Sequence, residues 1–185
     1  SLGNSPDPIE LIEKYGADGV RVGMLLCAPA GNDLPFDQGL CEQGRNFSNK
    51  LWNALRLIKG WDIENKEQPQ SSIDAIKWFN IKINKVINDI DKSFDKYRVS
   101  EALMLTYKLV WDDFCSLYLE IIKPEYGDSI DNKTIESTNE IFAKILKLLH
   151  PFMPFISEEI WHLISKKDSD IIVSKWPKSN TSDEN

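Results

Sequence analysis

Five residues on one stretch of chain could do chemistry together: Arg45, Asn49, Trp52, Asn53 and Arg56. They recur at spacings of three and four. At about 100° per residue they therefore line one side of a helix, while Leu40, Gly44, Phe47, Leu51, Ala54, Leu55 and Ile58 gather on the other. Two guanidinium groups, two amides and an indole on one stripe suit unstacked nucleic-acid bases. Arginine pairs with phosphate or stacks, amides read base edges, and tryptophan offers a platform. The alternative at this stage is a solvated helix face with a half-buried tryptophan, since exposed faces carry the same residue types.

Other candidates are weaker. Asp112 and Asp113 are adjacent, point about 100° apart on a helix, and cannot share a proton or flank one bond. Glu158 and Glu159 follow Pro154 and read as first-turn acids suited to the helix dipole. His150 precedes a proline and His162 sits beside Trp161, and both read as structural. Cys27, Cys41 and Cys115 lie far apart, without a Cys-x-x-Cys pair, which fits a reducing compartment and excludes a disulfide framework. No glycine-rich phosphate loop and no metal-ligand spacing stands out, so no metal site is expected. The residues describe a binding or interaction module rather than a free-standing enzyme.

The elements that would position the stripe are helical. Asp7 and Pro8 open a short helix as N-cap and first helical residue, and Gly16 ends it. A second helix runs from Asp18 to Ala28, with Gly19 and Gly23 spaced for close packing against a neighbour. The third spans about Asp37 to Lys59, the fourth Ile73 to Phe94, the fifth Ser100 to Ile122 and the sixth Asp131 to Leu149. Tyr107, Trp111, Phe114 and Tyr118 form a buried seam on the fifth, extended by Leu103, Val110, Leu117 and Ile121. His150-Pro151-Phe152-Met153-Pro154 forces a bend, after which a short helix resumes. Ile171 to Trp176 reads as one extended segment. The expected fold is all-α, an antiparallel helical bundle.

Composition bounds the rest. The 185 residues suffice for one ordinary domain, and the uninterrupted apolar stretches fall far short of the ~20 residues a membrane span needs. The polar, turn-forming start is not a signal peptide. Net charge is −7, divided as −1 over residues 1–61 and −6 over residues 62–185. An acidic total argues against indiscriminate binding to polyphosphate, so any nucleic-acid contact belongs on a local patch in the first third.

Several stretches resemble class I aminoacyl-tRNA synthetases. Ser1-Leu2-Gly3-Asn4 is similar to the segment after the Lys-Met-Ser-Lys signature, with Ser1 as the last residue of that ATP-contacting loop. Tyr15-Gly16-Ala17-Asp18-Gly19-Val20-Arg21 resembles the Tyr-Gly-Ala-Asp-x-x-Arg stretch of the branched-aliphatic subgroup. Ala28-Pro29-Ala30-Gly31-Asn32-Asp33 with Phe36-Asp37, and Arg45-Asn46-Phe47-Ser48-Asn49-Lys50-Leu51-Trp52-Asn53-Ala54, take the form typical of valyl enzymes. Trp111-Asp112-Asp113-Phe114-Cys115, with Tyr118-Leu119-Glu120 and Lys123, does likewise. So does Leu149-His150-Pro151-Phe152-Met153-Pro154-Phe155-Ile156, with Glu158-Glu159-Ile160-Trp161.

The resemblance implies a stem-contact segment (1–35), an α-helical anticodon-binding domain (36–177) and a polar tail (178–185) expected to be disordered. It implies a cytoplasmic protein whose partners are the tRNA(Val) anticodon stem-loop and the catalytic domain of the same parent chain, with no membrane and no DNA. The parent would use ATP and Mg2+ to ligate valine to tRNA. This stretch would need no cofactor and would hold no catalytic residue, being inactive alone. Asn49, Asn53 and Arg56 would face bases, Arg45 and Lys50 would meet phosphate, and Trp52 would either stack or enter the core. The competing reading is a helical protein-association or scaffold domain whose polar stripe reads no base.

Overall fold

The computed structural model describes residues 6–27, 36–164 and 169–179. The Ser1 signature residue, the Ala28–Asp33 motif and residues 180–185 of the tail lie outside them.

Two short helices open the chain, α1 (Pro8–Tyr15) and α2 (Ala17–Cys27). Asp7 Oδ1 accepts from the Ile9 amide at 2.8 Å, capping α1. Gly16 takes φ +75°, a left-handed turn that favours glycine, and α2 starts at once. The long helix α3 (Gln38–Lys59) begins at its N-cap Asp37, whose Oδ1 accepts from the Gly39 amide at 2.8 Å. Then follow α4 (Gln70–Asp95), α5 (Val99–Lys108), a π-helical segment (Leu109–Tyr118) and α6 (Leu119–Ile122), with α7 (Asn132–Leu149) and α8 (Pro154–Ile164) after a loop. Asp131 caps α7 through the Thr134 amide at 2.8 Å.

Packing explains the glycines. A Cβ added at Gly23 would lie 2.5 Å from Cys41 Sγ, and one at Gly44 would lie 2.6 Å from the Gly19 carbonyl oxygen. Helices α2 and α3 thus meet backbone to backbone, as the Gly19/Gly23 spacing anticipates. Beneath α3, the core joins Phe47, Leu51, Leu55 and Ile58 to Phe79, Ile83, Phe114, Tyr118 and Phe142. The Phe114 ring lies 5.6 Å from Phe79, 5.6 Å from Tyr118 and 5.2 Å from Phe142. The buried Tyr118 hydroxyl meets Thr138 Oγ1 at 2.8 Å, so no polar atom is stranded there. Burial pushes the Tyr118 phenol and the Cys115 thiol each up to about 12.

Four expectations need correction. Leu117 and Ile121 are 45% and 42% exposed rather than part of the seam. The fifth helix is π-helical over Leu109–Tyr118, and its i→i+5 bonds turn each residue by less than an α-helix does, which carries both side chains off the core face. The fourth helix starts at Gln70, behind Pro69, because polar residues occupy its first turn. Glu158 lies past the first turn of α8 and caps the chain elsewhere: its Oε1 accepts from the Ile171 amide at 2.9 Å. Ile171–Val173 is a single 3-10 turn, not an extended segment. A further detail has no counterpart in the helical pattern. Two-residue strands β1 (Ile63–Glu64) and β2 (Ile130–Asp131) pair in parallel, Ile63 opposite Ile130. Among the described residues no helix is long and apolar enough to cross a membrane.

Candidate nucleic-acid interface

Helix α3 separates its two faces as its spacing predicts. Gly44, Phe47, Leu51, Ala54, Leu55 and Ile58 are buried, whereas Asn49, Trp52, Asn53 and Arg56 are exposed. None of these four side chains has a hydrogen-bond or ion-pair partner among the described residues. Trp52, at 37% exposure, belongs to the surface and not to the core. On α3 only Glu42 is acidic, against Arg45, Lys50, Arg56 and Lys59, so the outer face of α3 is basic inside an acidic chain.

The two predicted phosphate contacts sit at the margins. Lys50 reaches across to the π segment, its Nζ 5.3 Å from the Trp111 ring, and Trp111 stacks on Tyr107 with centroids 5.5 Å apart. Arg45 leans toward the α1–α2 corner. Its guanidinium meets the Lys14 carbonyl and Glu42 Oε1, each at 3.5 Å, and lies 5.9 Å from the Tyr15 ring. Arg45 Nε is buried and has no hydrogen-bond partner among the described residues. A groove of about 430 Å³ opens at this corner, lined by Lys14, Tyr15, Asp18, Arg45, Phe155 and Glu159 among others. The stripe therefore divides into an open row from Asn49 to Arg56 and a separate corner of mixed charge at Arg45.

Residues that the spacing argument passed over hold this surface in place. Arg21 donates through Nε to the Phe152 carbonyl (3.1 Å) and through Nη2 to the Pro151 carbonyl (3.0 Å). The Asp18 carboxylate accepts from the amides of Phe155 (3.3 Å) and Ile156 (2.7 Å), at the open N-terminus of α8. Burial raises the Asp18 carboxyl above the usual carboxylate range, and those two amides oppose the rise. The Asp18/Arg21 pair and the proline bend thus form one clamp. The signal was their presence in two recognisable motifs; their partnership was not visible, because about 130 residues separate them.

The other candidates fall into structural places. Asp113 pairs with Lys82 at 3.2 Å, and Asp112 is exposed. His150 Nδ1 meets Ser157 Oγ at 2.8 Å, and His162 Nε2 meets Glu158 and Asp170.

The chain and its helical bundle are matched by known proteins. Residues 76–185 match the family described as the anticodon-binding domain of tRNA ligase, and the chain belongs to that family. The whole chain is 55% identical to the valine--tRNA ligase of Christiangramia forsetii, of which it covers 21%. It is 56% identical to the valine--tRNA ligase of Parabacteroides distasonis over 96% of its length and 21% of that protein. The chain thus spans about a fifth of the length of the curated relatives it matches. In fold it is similar to the crystal structure of the ternary complex of Agrobacterium radiobacter K84 agnB2 LeuRS-tRNA-LeuAMS. The TM-score is 0.68 at 19% identity, over 97% of this chain and 22% of that one. The open row on α3 precedes the family-matched stretch.

Proposed function

We propose that this stretch reads the anticodon stem-loop of tRNA(Val) for a valine--tRNA ligase, whose parent reaction joins L-valine to tRNA at the expense of ATP. The observation that carries it is the row Asn49, Trp52, Asn53 and Arg56. It is exposed, has no partner among the described residues and stands on a helix free of acids beyond Glu42, in a chain of the anticodon-binding family. Asn49, Asn53 and Arg56 face bases, Trp52 supplies a stacking surface, and Lys50 and the Arg45 corner meet phosphate. On this reading residues 36–177 are the anticodon-binding domain and residues 1–35 the stem-contact segment beside the parent's catalytic domain. ATP and Mg2+ act elsewhere in the parent, and no side chain here is assigned to them.

The test is binding of a tRNA(Val) anticodon stem-loop at low and moderate salt, with Asn53→Ala, Arg56→Ala and a stem-loop of altered anticodon. Each substitution and the altered anticodon should cost about 1–3 kcal/mol, the range for a good base-edge contact. Lys50→Ala should instead weaken both stem-loops equally and lower the salt dependence. Binding that ignores anticodon identity, or no binding at all, would remove base reading from this surface.

A further inference from the structure

After α8 the chain folds back on it. Trp161 Nε1 donates to the Ser169 carbonyl at 2.9 Å, Glu158 Oε1 accepts from the Ile171 amide at 2.9 Å, and Ile171 is buried. These contacts hold residues 169–171 against the side of α8 that carries Glu158 and His162, four residues apart. Three donors converge as a result. His162 Nε2 lies 3.2 Å from Glu158 Oε1 and 3.1 Å from Asp170 Oδ1, and all three atoms fall within 4.8 Å of one another.

We propose that Glu158, His162 and Asp170 form a binding site for a divalent transition-metal ion of the zinc type. One imidazole nitrogen carries at most one proton, yet two carboxylate oxygens close on it, so the cluster has more acceptors than donors and an excess of negative charge. A cation satisfies all three at once. Zinc bonds of about 2.0–2.1 Å in tetrahedral geometry set neighbouring donors roughly 3.4 Å apart, within a few tenths of an ångström of the two separations to His162 Nε2. An imidazole with two carboxylates suits zinc-type ions better than calcium or magnesium, which favour more numerous, all-oxygen ligands. The Ile171 amide already orients the Glu158 oxygen, the outer contact that metal-ligating carboxylates usually have. His162 also lines a groove of about 610 Å³ with Lys59, Trp61 and Asn139, which leaves room for water as a fourth ligand. The ion would pin the returning segment to α8. That segment goes on to place Trp176, whose Nε1 donates to Asp91 Oδ1 at 2.9 Å and whose ring lies 5.9 Å from Phe94. The three ligands lie outside the Asn49–Arg56 row on α3.

Calorimetric titration of the 185-residue chain with zinc chloride, beside magnesium chloride, tests the assignment, with cobalt(II) absorption as the second readout. One zinc should bind and magnesium should not compete. His162→Gln and Asp170→Asn should each weaken zinc by roughly tenfold or more, the scale seen on perturbing a metal site, whereas His150→Gln should leave it unchanged. Cobalt should show weak visible bands of nitrogen and oxygen ligation. Asp170→Asn changes an exposed side chain and so keeps the test open if His162→Gln fails to fold. Zinc affinity indifferent to both substitutions, intense thiolate-to-cobalt absorption that places the ion on a cysteine, or no saturable zinc binding would overturn the proposal.

Discussion

His150 shows how a residue type suited to catalysis is spent on structure. The Ser157 hydroxyl donates its single proton to the Met153 carbonyl at 2.7 Å, so its oxygen accepts from His150 Nδ1, which places the proton of the neutral imidazole on Nδ1. Desolvation lowers the His150 pKa from 6.5, opposed by the Glu158 and Asp18 carboxylates. Because the folded value lies below the unfolded one, the unfolded chain takes up the proton first as pH falls. His150 therefore costs no stability above pH 6.5, and its cost grows from there down to its lowered folded value. Urea unfolding at pH 7.5 and pH 5.5, in a His162→Gln background that leaves His150 as the only imidazole, should show a loss at the lower pH. Replacing His150 by Gln should flatten that loss. At this scale the sequence was legible wherever neighbours are local: Asp7 caps α1 as expected, α3 and α7 begin beside Asp37 and Asp131, and the row from Asn49 to Arg56 is exposed as its spacing predicts. Asp18 and Arg21 were not legible as a clamp, since their partners follow them by 130 to 138 residues.

At the scale of elements, six helices could be traced from apolar spacing with boundary shifts of one to three residues. The failure lies inside the fifth. A 3.6-residue period assumes i→i+4 bonds throughout, but Leu109–Tyr118 uses the wider turn, and the Ser116 hydroxyl donates to the Trp111 carbonyl five residues back. Phe114, Cys115, Tyr118, Leu119 and Ile122 take the core positions, and Leu117 is turned outward. Leu117→Ser should therefore alter stability by no more than about 0.5 kcal/mol, as surface substitutions do. Phe114→Ala should cost about 3–5 kcal/mol, because its ring touches three others in a closed core. Urea midpoints of the two variants check this, and a heavy loss at Leu117 would mean that the α-helical register continues through the segment.

Across the whole molecule, the opening helices are joined to the bundle by the Asp18/Arg21 clamp, the glycine seam with α3 and the burial of Val22 in the core. Ile9 remains 63% exposed and Ile12 41%, so the apolar anchoring of α1 rests on Leu11 and Tyr15, which pack against Cys41. Arg21→Ala should cost about 1.5–3 kcal/mol, the range for hydrogen bonds to a charged donor. Hydrogen exchange should show α1 and α2 opening faster, with α4 and α7 still protected. Uniform acceleration throughout would mean that the clamp supports the entire fold. Pattern reading identified the bundle but not the β1–β2 pairing, because two residues per strand carry no periodicity. The glycine seam has a mechanical consequence. Where Gly19 meets Gly44 and Gly23 meets Cys41, only the short Cys41 and Val22 side chains stand between the helices, so the contact behaves as a keyed hinge pin and not as a cushion. From Gly44 to Lys59, α3 is a lever of about 22 Å, and a tilt of about 5° at the pin swings its tip by roughly 2 Å. A load applied near Arg56 is shared between this fulcrum and the core into which Phe47, Leu51, Leu55 and Ile58 are packed.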